Sequence, residues 1–439
     1  MIKIKRVESR ADLRKFVQFY YDLYRGNDCA VPFLFQDEMN TLRSDRNASF
    51  ECCEACCFLA FKGEQIVGRV AAIINHRANE KWQQRVVRFG WFDFVDDEEV
   101  SRKLLETVET WGRERGMNAI VGPLGFTDMD REGMMVKGFD RLSTMYVNYN
   151  FPYYVRHMEH MAGFEKDNDY VEFRIKVPEV IPPKFAKIGE MIERRYDIHV
   201  HKFTRHELLH EGKGRRVFEI INATFKELYG YSELSDAQIT QLVNEYIKVA
   251  DLDLVSSVVD RSRNNEMIGV GICFPSFAKA LQKTRDGRLF PFGWWQLLKV
   301  LKWHKTDTVD LLMIAVLPEY RKKGANALIF NDLILRFRKC GFQWAEAMHQ
   351  MESNHAVQSE WTYFDSELHR RHRCYRKSLK AARAVLVVAS AAWRQEKAIT
   401  FVGKVIDIAL QSDSFCVEKW PCFFSLVPLV GDEQRAFNT

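Results

Sequence analysis

Residues Leu311–Gly341 read LLMIAVLPEYRKKGANALIFNDLILRFRKCG. The opening apolar run, Leu311 to Leu317, is too short for a helix and is bounded by Pro318, which predicts a buried strand. A basic turn follows, Pro318-Glu319-Tyr320-Arg321-Lys322-Lys323-Gly324. Then Ala327, Leu328, Phe330, Asn331, Ile334, Leu335 and Phe337 fall at helical spacing, and Cys340-Gly341 closes the helix with a residue suited to positive φ. Strand, basic glycine turn and helix together make the local architecture of a phosphate site. The turn offers backbone N–H groups, the helix start adds its positive dipole end, and Arg321, Lys322 and Lys323 add full charges. No Gly-x-x-x-x-Gly-Lys-Ser/Thr occurs here, so the turn is not a P-loop.

Working outward, the same order of elements is predicted twice. Before the quoted stretch come a helix over Arg215–Leu228, a helix capped by Ser235-Asp236, and a hairpin of Leu252–Val259 with Met267–Phe274. Far upstream, Ala11–Arg25 has helical spacing, and Cys57–Lys62 with Ile66–His76 forms a hairpin about Lys62-Gly63-Glu64. Val87–Phe94 is a further strand, Asp96-Asp97-Glu98-Glu99 an acidic helix start, and Ala119–Pro123 a short strand ended by a turn. The repetition indicates a tandem duplication of an α/β unit. Pro178, Pro182 and Pro183 mark the join. The expected layout is a first domain at 1–178, a linker at 179–198, a second domain at 199–379 and a tail at 380–439. Within the tail, Ala381–Trp393 reads as a short apolar helix.

Composition bounds the rest. With 439 residues, 47% hydrophobic and 28% charged, the chain is expected to be globular with two or three domains. A net charge of +5 does not demand a nucleic-acid partner. Met1–Val7 alternates like a strand and lacks an apolar signal core, and no run reaches membrane-spanning length. Ten cysteines without a secretory signal imply reduced thiols and a cytoplasmic location. Cys52-Cys53-Glu54-Ala55-Cys56-Cys57 has no second Cys/His pair at zinc spacing, so no metal is expected, and the thiols read as part of a buried strand. Phe277–Lys305, with Phe290, Phe292, Trp294, Trp295 and Trp303 among lysines, reads either as a helix packed on its own domain or as a membrane-facing or acyl-binding one.

Arg321-Lys322-Lys323-Gly324-Ala325-Asn326 after a strand resembles the acyl-CoA-binding motif of the GNAT superfamily of N-acyltransferases, departing from it at Asn326, where a small residue is usual. The first unit resembles the same fold, but acids at Asp96–Glu99 stand near where its basic turn would be, which implies a degenerate domain that does not bind CoA. Val67–Asn75, Trp111–Gly116, Gly122-Pro123 and Arg371–Leu379 look like a bacterial tandem-GNAT subgroup, some relatives of which are suspected to acylate sphingoid bases. The resemblance covers roughly residues 1–379.

The resemblance implies a mixed-sheet α/β fold with two tandem GNAT-like domains. Acetyl-CoA or a longer acyl-CoA would serve as co-substrate. Ile314, Ala315 and Val316 would pair with pantetheine, Arg321, Lys322, Lys323, Gly324, Ala325 and Asn326 would cradle the diphosphate, and Asn354 would touch the cofactor arm. Glu346 and Glu352 are the candidate bases. Trp361 stands where the family places an acidic tyrosine, which leaves Tyr363, two residues on, as the candidate acid. The expected reaction moves an acyl group from a thioester to a primary amine, a small molecule or a lipid such as a sphingoid base, with peripheral membrane contact as a further expectation. Two alternatives stay open: an aminoacyl-tRNA-dependent transferase of the peptidoglycan-bridge type, and a non-catalytic GNAT-fold binding scaffold.

Overall fold

A computed structural model of the protein describes residues 1–379, which form one compact unit. The expected tail at 380–439, with its apolar helix, lies outside the described residues. The first half contains β1 (Ile2–Arg6), β2 (Cys53–Lys62), β3 (Gln65–Asn75), β4 (Val86–Phe94), β5 (Ala119–Gly122), β6 (Met134–Lys137) and β7 (Glu165–Lys176). The second contains β8 (Ile198–His201), β9 (Val255–Asp260), β10 (Glu266–Pro275), β11 (Thr308–Val316), β12 (Trp344–Met351) and β13 (Ser366–Ser378). All thirteen belong to one sheet, in the order β1-β2-β3-β4-β5-β13-β7-β12-β11-β10-β9-β8, with β6 lying against β13.

Only two of these pairings are parallel, β4 with β5 and β11 with β12, one in each half. The helices cover the sheet because their apolar residues recur every three or four positions. Ser9 accepts from the Asp12 amide to start α1 (Arg10–Leu23), which buries Leu13, Phe16, Val17 and Tyr20. Asp97 caps α2 (Glu98–Arg113), which buries Val100, Leu104, Leu105 and Val108 on the sheet. In the second half α3 (Pro183–Tyr196), α4 (Lys213–Phe225), α5 (Gly293–Trp303) and α6 (Asn326–Cys340) follow, and α6 ends on Gly341 at φ +79°. Cys53, Cys56 and Cys57 are buried in β2, as the sequence predicts, whereas Cys52 lies just before the strand and is half-buried.

Two expectations about domain layout are corrected. The stretch at 179–198 is not a free connection: Pro183 sits at the first helical position of α3, where its missing N–H costs nothing, and Phe185 and Ile192 enter the core of the second half. Nor are 1–178 and 199–379 two self-contained domains. β7, the last strand of the first half, pairs antiparallel with β12 of the second, and β13, the last strand of the second, pairs with β5 of the first. β7 and β13 also pair with each other along most of their length. The halves have exchanged their closing strands, so each completes the other's sheet.

Candidate active site

β11 and β12 pair in register only from Thr308↔Trp344 to Leu311↔Ala347 and then separate. β11 stays bonded to β10 on its other side as far as Val316. One edge of its last residues is therefore free, and a buried peptide edge needs a partner. The wedge between the strands is a cavity of about 330 Å³ lined by Leu312, Ile314, Ala347, His349, Asn354 and Trp361, among others. The first half repeats the feature. β4 and β5 pair only over Val86–Arg88 and Ala119–Val121, and beyond them opens a larger cavity of about 890 Å³. Met129, Asp130, Tyr146, Leu242, Tyr246 and Phe274 line both cavities, so the two adjoin.

The helix start after each parallel strand differs between the halves. In the first, Asp97 accepts from the Glu99 amide, so an acid already occupies the positive end of α2. In the second, α6 has no side-chain cap, and the amides of Ala325 and Asn326 carry no main-chain acceptor among the described residues. These are the orphan donors an anion binds.

The predicted cradle is only partly as expected. Gly324 turns at φ +87°, but a Cβ there would lie 2.8 Å from Ile188 Cγ2, so the glycine is required by α3 as well as by any ligand. Arg321 donates to the carbonyls of Val316 (3.2 Å) and Thr224 (2.8 Å). Lys323 lies 4.3 Å from the Tyr320 ring centre, and Lys322 is exposed. Asn326 donates to Glu360 at 2.9 Å, which occupies its side chain and holds a carboxylate near the helix start. Gly324→Ala is expected to lower stability by about 1–3 kcal/mol, since it forces a side chain into a left-handed turn against Ile188. Thermal denaturation without any ligand checks this.

Of the predicted strand and arm residues, Ile314 and Asn354 line the smaller cavity, whereas Ala315 and Val316 are buried in the core. The three predicted catalytic residues are not brought together. Glu346 pairs with His369 (2.8 Å) and Arg370 (3.0 Å). Glu352 lies between Lys166 and Arg371 at the surface. Tyr363 is exposed, with its ring 3.6 Å from the Lys184 ammonium. None of them lines either cavity.

Where the cavities meet, the titratable carboxyl group is Asp130, on the loop between β5 and β6. Its Oδ2 accepts from the Thr127 amide at 2.9 Å, and Oδ1 accepts nothing among the described residues. Removal from water raises its carboxyl above the usual range. Asp128 and Glu132, on the wall of the smaller cavity, are raised by burial too.

Behind the wedge lies a buried charged row that sequence reasoning missed. Arg370, fully buried, bonds Glu172 (2.8 Å), Glu346 (3.0 Å) and the Leu142 carbonyl. Asp310, opposite Glu346 in register, is pushed up to about 8 by burial and then by the Glu346 charge. Glu172 Oε1, His349 Nε2 and His372 Nδ1 lie within 4.8 Å of one another, a group able to hold a metal ion. Burial lowers His349 to about 3, so its ring is neutral. Arg370 already balances the Glu172 carboxylate from the other oxygen, so the charge there is compensated without an ion.

No family model matches the chain. Among curated proteins it is 24% identical over 378 residues to protein YghO of Escherichia coli K12, covering 84% of this chain and 94% of that one. It is 24% identical over 390 residues to the bacterial ceramide synthase of Caulobacter vibrioides, covering 85% and 96%. Among solved structures, a tandem GNAT protein from the clavulanic acid biosynthesis pathway superposes with a TM-score of 0.51 at 12% identity, over 87% of this chain and all of that one. A GCN5-related glucosamine N-acetyltransferase region of a fungal β-N-acetylglucosaminidase gives 0.51 at 11% identity, over 86% of this chain and 38% of that one. The likeness establishes the fold: two GNAT-like units in tandem in a mixed α/β sheet, as the resemblance in the sequence implied.

Proposed function

We propose that the protein transfers an acyl group from an acyl-CoA thioester to a primary amine attached to an apolar chain. The observation that carries this reading is the joining of two cavities at Asp130. One is a wedge beside a free strand edge, the other a larger apolar chamber. A pantetheine arm running along Leu312–Ile314 would satisfy the free edge, and the uncapped start of α6 would face its diphosphate. The thioester carbonyl would then reach the junction. An incoming ammonium must lose a proton before it can attack, and a carboxylate of raised pKa is suited to take it. The amine nitrogen then bonds the carbonyl carbon, the C–S bond breaks, and the second proton that the nitrogen sheds on becoming an amide goes to the departing thiolate, through solvent or through Tyr146.

The larger chamber matches such an acceptor. Phe33, Trp91, Phe274, Leu297 and Leu301 give it apolar walls, while Asp37, Glu38, Asp93, Asp130 and Glu245 outnumber Arg69 and Arg131. A cationic headgroup on a long chain fits this better than a polyanion, which weighs against transfer RNA. The relative named for ceramide synthesis supports a sphingoid base as the acceptor. The binding-scaffold reading is favoured by one observation, the Glu360 carboxylate beside the helix start.

Calorimetry with CoA and palmitoyl-CoA, followed by thiol release against an amine panel that includes sphinganine, tests the proposal. Binding of palmitoyl-CoA and faster thiol release with long-chain amines than with short ones is the expected result. No heat with either thiol carrier selects the scaffold.

A further inference from the structure

The segment Leu289–Trp303 carries an apolar surface that nothing among the described residues covers. Phe290 and Phe292 are 79% and 78% exposed, and Trp294, Trp295 and Trp303 are each more than 40% exposed. The residues of α5 divide between two faces. Trp295, Lys299 and Trp303 share one side at four-residue spacing, with the Trp295 and Trp303 ring centres 5.7 Å apart. The Lys299 ammonium lies 5.6 Å from the Trp295 ring centre and that of Lys302 lies 5.4 Å from the Trp303 ring centre. Leu297, Leu298 and Leu301 line the larger cavity. Leu289 and Trp294 do both: they are exposed and they line the cavity, so its mouth opens at this surface.

We propose that this ridge docks on an anionic lipid bilayer and that the amine acceptor passes from the membrane into the cavity at Leu289 and Trp294. The second clause rests on the lipid-amine reading above; the first does not. Charge selects the bilayer over other occupants. From Arg285 to Lys305 the one acid is Asp286, and it is paired with Arg288 and Arg25. Lys299 and Lys302 remain, each beside a tryptophan ring, with Lys305 two residues beyond Trp303 in sequence. Aromatic rings that sit at the headgroup level with ammonium groups among them form the pattern of an interfacial helix. Among the described residues no helix is long and apolar enough to cross a membrane, so this contact would be peripheral. An amine with a long chain is scarcely soluble in water, and a mouth that meets the bilayer spares the chain that transfer.

The test is co-sedimentation of the full-length protein with vesicles of phosphatidylcholine alone and of phosphatidylcholine mixed with phosphatidylglycerol. Thiol release with a water-soluble primary amine is measured alongside. Phe290 and Phe292 line neither cavity, so the F290S/F292S double variant separates docking from chemistry. The expected result is binding to the anionic vesicles, weakened by salt, and a fall of about tenfold or more in the partition constant of the variant, since two rings no longer leave water. Its turnover of the soluble amine should equal that of the unaltered protein. Failure of the unaltered protein to bind either vesicle overturns the proposal, and so does equal binding by the variant. A dimer in sedimentation velocity that the variant breaks, without vesicle binding, assigns the ridge to a second copy and also overturns it. Vesicle binding without thiol release would keep the docking surface and remove the enzymatic reading; thiol release without vesicle binding would do the reverse.

Discussion

Asp130→Asn should lower the rate of amine acylation by about 10²–10⁴-fold, the range for loss of a positioned base, while palmitoyl-CoA binds as before. The asparagine carbonyl can still accept from the Thr127 amide, so the loop between β5 and β6 keeps its turn. The other carboxylate oxygen has no donor among the described residues, and its basicity is what the substitution removes. The pH profile gives a second readout. Burial raises this carboxyl, so the active, ionised form is lost as pH falls through a value above the ordinary carboxylate range. The acid limb of kcat/KM should therefore sit at higher pH than an exposed aspartate would give, and it should vanish in the variant. Glu346→Gln provides the contrast. Its side chain faces His369 and Arg370 rather than either cavity, so its replacement should act on stability before it acts on turnover. If instead Glu346→Gln abolishes acylation with the fold intact, the base is Glu346 and the assignment to Asp130 is wrong.

The largest expected effect on stability comes from Arg370→Met. This guanidinium is fully buried and holds Glu172 and Glu346 together at the seam between the halves. Removing it leaves two carboxylates without their compensating charge, a change worth about 3–5 kcal/mol. Urea denaturation should show that loss, and Glu172→Gln in the same chain should restore part of it, because the stranded charge is then gone. The pair also predicts an acid dependence. The charges of Arg370 and then His372 hold the Glu172 carboxyl well below its usual range in the folded protein. A depressed carboxyl contributes stability that is fully present above its unfolded pKa of about 4.3 and is lost as pH falls toward the folded value. Unfolding midpoints should therefore drop below about pH 4 in the unaltered protein and less steeply in the double variant.

Much of the fold was legible because it rests on local periodicity. The run Leu311–Leu317, the turn at Gly324 and the helix to Gly341 each carry their own signal, Ser235 caps the helix expected of it, and Asp97 lies in the acidic start expected of α2. The exchange of β7 and β13 left no such mark. Each is a half-polar strand with charges on both faces, and nothing local says which neighbour it will choose. The prolines before α3 were misleading for a related reason: Pro183 opens a helix as readily as it breaks one. The cavity chemistry was hidden in the same way. Asp130 sits on an irregular loop of the first half, the half whose acids seemed to exclude it from the chemistry, and it meets the wedge of the second half only in space. Glu346, picked out as a polar residue on the right strand, turns to the seam because Arg370 arrives there from β13.

The reciprocal closing strands also set a timetable for biosynthesis. About 200 residues separate the end of β7 from the end of β13. At ribosomal speed the flank of β5 and both edges of β7 wait roughly 10–40 s for their partners to be made. Unfilled strand edges attract other chains. A messenger truncated upstream of Ser366 lacks β13, and its product keeps edges of β5 and β7 open.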